Sequence, residues 1–107
     1  MRTMAPHISH MLISWQTVSE IDLAGFNVYR AQALEGPWVQ LNHELIQIKA
    51  PGSPYGAGYT WEDWTVESCA AYYYLLKAVY TGGATAESDP IAATATCHLI
   101  FLPAVLR

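Results

Sequence analysis

Ala71-Tyr72-Tyr73-Tyr74-Leu75-Leu76-Lys77-Ala78-Val79-Tyr80, then Thr81-Gly82-Gly83, then Pro90-Ile91-Ala92-Ala93-Thr94-Ala95-Thr96: the fold turns on this stretch. Aromatic and branched residues fill its first run, which suits a pleated, half-buried strand. The paired glycines break that run, and the second run returns. Folded as a hairpin about Gly82-Gly83, inward Tyr72, Tyr74 and Leu76 are expected to oppose Ala95, Ala93 and Ile91, so that large residues meet small ones on one face. In that register Cys97 falls opposite Ala70, one residue from Cys69.

Similar signals continue outward. Met11, Ile13 and Trp15 alternate with Leu12, Ser14 and Gln16, a period of two. Gly25 precedes a second alternating run, Phe26-Asn27-Val28-Tyr29-Arg30. Gly36-Pro37 marks a turn before Trp38-Val39-Gln40-Leu41, and Tyr59-Thr60-Trp61-Glu62 alternates aromatic with polar. Leu41–Ile48 has helical spacing at Leu41, Leu45 and Ile48, but it is short and ends before Pro51-Gly52-Ser53-Pro54. It reads as a short strand and a long surface loop. Short β-rich runs punctuated by Gly and Pro predict a two-sheet antiparallel β-sandwich or a barrel.

These elements resemble a fibronectin type III domain, an immunoglobulin-like β-sandwich. Ile13-Ser14-Trp15 looks like the second strand of that family, Gly25–Arg30 like its third, and Tyr72-x-Tyr74-x-Leu76-x-Ala78 like its sixth. Ser88-Asp89-Pro90-Ile91 looks like the start of the last strand. The resemblance implies that Tyr72 is the tyrosine corner, whose hydroxyl caps backbone at the edge of the sheet. Ser19-Glu20-Ile21-Asp22, Gly36-Pro37-Trp38 and the Pro-Gly-Ser-Pro loop are similar to modules appended to secreted bacterial proteins. The family opens with a full first strand. Here Pro6 interrupts the residues before the second strand, so the first strand is expected to be short, irregular or missing. Residues 1–97 read as the module and residues 98–107 as an apolar tail able to act as a donor or interface strand.

Size and charge bound the function. A chain of 107 residues suits one domain with a core of its own. Hydrophobic residues make up 52% and charged residues 13%, a balance that excludes disorder. The formal net charge is -4 with 5 Lys plus Arg, too few cations for a nucleic-acid groove or a polybasic membrane patch. No apolar run approaches the roughly 20 residues of a membrane-spanning helix. The N-terminus has no apolar core of a signal peptide, yet the resemblance places the module outside the cell or at its surface.

Chemistry-bearing residues are sparse. His7, His10, His43 and His98 do not make a metal set, because positions three apart on a strand face opposite ways. Glu20, Asp22, Glu62, Asp63, Glu67, Glu87 and Asp89 fall mostly in turns or on polar faces. No nucleophile elbow or phosphate loop is present. The chain is therefore expected to be no enzyme and to need no cofactor. Cys69 and Cys97 permit an internal disulfide, worth roughly 3–4 kcal/mol in the chain-entropy model; buried free thiols or a bond between chains are the alternatives.

Two surfaces suggest binding. Tyr29, Tyr73, Leu75 and Val79 should share the outer face of one sheet, where a solvated face would be polar. The tail residues Leu99, Ile100, Phe101, Leu102 and Val105 are the natural cover, as is another copy or a neighbouring domain. Exposed Tyr55 and Trp64 would suit stacking on carbohydrate. The expected function is a structural or adhesive module that self-associates into an oligomer or fibre. The alternatives are an accessory module of a larger secreted hydrolase, binding carbohydrate or protein, and a plain spacer.

Overall fold

In the computed structural model residues 10–95 are described. They form strands β1 (Met11–Gln16), β2 (Leu23–Ala31), β3 (Val39–Gln40), β4 (Ile46–Gln47), β5 (Gly58–Asp63), β6 (Ala71–Tyr80), β7 (Thr85–Glu87) and β8 (Ile91–Thr94), with no helix among them. The expected all-β architecture of two antiparallel sheets is present. One sheet is the pair β1–β5, in register from Met11 opposite Asp63 to Gln16 opposite Gly58. The other runs β3-β2-β6-β7, with β4 also on β2 and β8 also on β6.

β2 and β6 are the spine. Phe26 opposes Ala78 and Val28 opposes Leu76 on the core face. Leu23 and Phe26 are both buried although three residues apart, which a regular strand forbids. A register shift between Leu23 and Gly25 resolves this by spending one extra residue. Gly25 itself lets β4 come close: a Cβ there would sit 2.5 Å from the Ile46 carbonyl and from Leu45 Cγ.

Two aromatic-rich clusters fill the space between the sheets. Val28, Val66, Tyr72, Tyr74 and Ala95 gather at the Met11 end, and Leu23, Phe26 and Tyr59 at the other. Trp15 packs on both. It stacks on Tyr59 at 5.5 Å between centroids and meets Phe26 edge-on at 5.3 Å, an arrangement aromatic quadrupoles favour.

The hairpin register differs from the expectation. The Tyr80 N–H donates to the Ala84 carbonyl at 2.8 Å, so a three-residue loop centred on Gly82 closes it, with Gly83 at φ 95°. Val79 then opposes Thr85. Ser88-Asp89-Pro90 interrupts the return, and Leu76 bonds Ser88 through both its N–H and its carbonyl. One residue is absorbed there, so Tyr74 opposes Ile91 and Tyr72 opposes Ala93, two places from the expected partners. An even slip keeps every side chain on its face. The Ala95 N–H donates to the Ala70 carbonyl.

Candidate functional site

The outer-face residues are placed on neighbouring strands: Tyr29 opposes Leu75, Ala31 opposes Tyr73, and Gly25 opposes Val79. The face carries a cation as well. Lys77 Nζ lies 4.9 Å from the Tyr29 ring centroid and 3.5 Å from the Glu87 carboxylate. The Tyr29 hydroxyl donates to Gln40 Oε1 at 3.2 Å. The lysine stem and this polar rim cover part of the apolar patch.

Tyr55 is 77% exposed and Trp64 53% exposed. One face of the Trp64 indole is taken by the His10 ring at 4.2 Å. Tyr55 precedes β5 and Trp64 follows it. The six-residue strand β5 lies between them in sequence. The Tyr72 hydroxyl accepts the Glu67 N–H at 2.9 Å. Cys69 adopts a left-handed φ of 67° just before β6. Cys97 and the tail residues Leu99, Ile100, Phe101, Leu102 and Val105 lie outside the described residues, as do His7 and His98.

Sequence reasoning missed two buried carboxylates. Asp63 accepts from Arg30 Nη1 at 2.8 Å, from the Tyr74 hydroxyl at 2.7 Å, and from Thr65 through both N–H and hydroxyl. Burial works to raise its pKa, but these donors prevail and hold it below the ordinary aspartate value. Burial, and after it the bond to the same carboxylate, raises the pKa of Tyr74. Glu20 accepts from the Tyr59 hydroxyl at 2.5 Å, from the Ala50 N–H at 2.8 Å and from the Thr17 hydroxyl at 2.9 Å. It too is lowered by its donors against burial. Its backbone bonds Ser53 and Gly52, which ties the β1–β2 loop to the β4–β5 loop. Asp63 continues the inward phase of Tyr59 and Trp61, and that periodicity was the available signal. Nothing in Ser19-Glu20-Ile21 marks Glu20 as buried. Both carboxylates are occupied by structural donors and stand towards opposite ends of β5. Among the described residues no three His, Cys, Asp or Glu side chains gather as metal ligands.

Among the described residues, the least complete part is the edge of β1. Among the described residues β1 is paired only with β5, so a two-stranded sheet covers a six-stranded one. Ile91 opposes buried Tyr74 directly and therefore stands on the core face, yet it is 68% exposed. A cleft of about 130 Å³ runs beside it, lined by Ile13, Trp15, Tyr74, Leu76, Ser88 and Ile91. The Trp15 Nε1–H is buried and meets no acceptor among the described residues. Leaving such a donor unpaired costs about 1–3 kcal/mol. An open strand edge, core-facing apolar surface and an unpaired buried donor therefore coincide. Such a site can take an extended segment, whose backbone would pair with the edge and whose side chain would enter the cleft.

No protein-family model matches the chain, and neither a curated protein nor a solved structure does.

Proposed function

We propose that this chain is a non-catalytic extracellular module of the fibronectin type III kind, which joins copies of itself by adding a strand to the open edge of β1. The two antiparallel sheets and the Tyr72 hydroxyl bonded to the Glu67 N–H support the family reading. The observation that carries the association is Ile91, a core-facing side chain left 68% exposed near β1, which among the described residues is paired on one edge alone. Strand addition there would cover it and pair the edge at once. Light scattering across a concentration series tests the reading. The full chain should gain mass with concentration, and deletion of His98–Arg107 should abolish the gain. A full chain monomeric at every concentration would overturn it.

Trp64 favours a second reading, an accessory module that binds carbohydrate. Its indole is braced on one side by His10 and half exposed. Binding on a glycan array that disappears in Trp64→Ala would support this role, and a blank array would remove it.

A further inference from the structure

The self-association proposed above leaves open which segment enters the cleft and what the cleft recognises. Its size is the first clue. At about 130 Å³ it is close to the apolar cavity of roughly 150 Å³ that accepts benzene in another protein, so one phenyl ring is a suitable guest. Its lining carries no charged side chain, and the Tyr74 hydroxyl is already committed to Asp63, so the incoming segment should be neutral. The buried Trp15 Nε1–H calls for an acceptor, and a strand backbone supplies carbonyls.

One segment of this chain meets all three demands. β8 ends at Thr94, Ala95 after it is buried and bonded to Ala70, and Leu99-Ile100-Phe101-Leu102 begins four residues further on. The run is neutral and has a single phenyl group. Extended, it measures about 13 Å, shorter than the roughly 20 Å of β1. Direction decides whose run it is. β8 is antiparallel to β6 and moves from Ile91 towards Ala95, away from the cleft. Thr96-Cys97-His98, between Ala95 and that run, contains no Gly, Pro, Asn or Asp to favour a reversal towards its own cleft.

Resting on the self-association reading, we propose that Leu99–Leu102 of a second copy lies along the open edge of β1. Its Phe101 ring fills the cleft beside Ile91, and one of its carbonyls accepts the Trp15 Nε1–H.

The test uses the full chain, with light scattering for mass and hydrogen exchange of the Trp15 indole proton by NMR. Phe101→Ala should remain monomeric where the wild type associates, and its indole proton should exchange at least about tenfold faster, the equivalent of 1.4 kcal/mol. Labelled Phe101→Ala mixed with unlabelled wild type should regain slow exchange, because its own edge is intact. Ile91→Lys, at an exposed position that tolerates change, should lose association while keeping its tail. If Phe101→Ala or Ile91→Lys associates as the wild type does, this docking is overturned while self-association stands. If the wild type is monomeric throughout, both fall.

Discussion

Asp63 and Glu20 show what a buried charge requires of its neighbours. Each is held ionised by donors rather than by solvent, and each has a pKa below its ordinary value. A carboxylate whose folded pKa is depressed contributes stability that is complete above its unfolded pKa, near 4, and is lost as pH falls through the folded value. Tyr59 and Tyr74 are raised, so their contribution is complete below about pH 10 and is lost as pH climbs beyond it. Stability measured by chemical denaturation should therefore plateau between these limits and fall on both sides. Asp63→Asn should remove the ion pair with Arg30 and cost about 2–4 kcal/mol at neutral pH, read as a lowered denaturation midpoint with an unchanged slope. The inward phase of Asp63 was legible from Tyr59 and Trp61. The burial of Glu20 was not, because it depends on a contact with Tyr59 and Ala50 across two loops, which no local pattern encodes.

At the scale of elements, close approach sets Gly25 and Gly56 apart from Gly52, Gly82 and Gly83, where a Cβ would meet nothing within 4 Å. A Cβ at Gly25 would press on Leu45 and Ile46, and one at Gly56 would overlap the backbone of Thr17. Gly25→Ala should cost about 1–3 kcal/mol through this overpacking, whereas Gly82→Ala, where a Cβ meets nothing within 4 Å, should be close to neutral in the same denaturation assay. Mass spectrometry before and after reduction addresses the pairing of Cys69 with Cys97. An internal bond should appear as a two-hydrogen gain in an otherwise unchanged monomer, with roughly 3–4 kcal/mol of stability lost on reduction. The strands themselves were legible as alternation: β1, β2, β5 and β6 fall where period-two runs occur. The hairpin register was not. It depends on which residue of Thr81-Gly82-Gly83 takes the left-handed position and on the residue absorbed at Ser88–Pro90, and both are choices made by backbone hydrogen bonds. The face of each side chain survived the error because the slip was even.

For the whole molecule, the sheets are unequal. Among the described residues two strands cover six, and the core face is exposed at Ile91. The expectations that bear on that site, a short, irregular or missing first strand and an apolar tail at residues 98–107, lie outside the described residues. The cleft itself arises from the mutual placement of β1 and β8, which belong to different sheets and are distant in sequence. Copies carrying a net charge of -4 repel one another, and salt screens that repulsion without weakening apolar burial. Raising the ionic strength should therefore strengthen association, seen as a larger sedimentation coefficient at fixed protein concentration.

Ile91 stands at the mouth of the receiving cleft, and the chain departs from the far end of β8. Under the proposed docking, giving and receiving would fall at separate places on one molecule, and an assembly built this way would have polarity. A head-to-tail contact that does not close into a ring produces an open filament. A small dose of Ile91→Lys copies, still able to give but unable to receive, would act as chain terminators at one extremity alone.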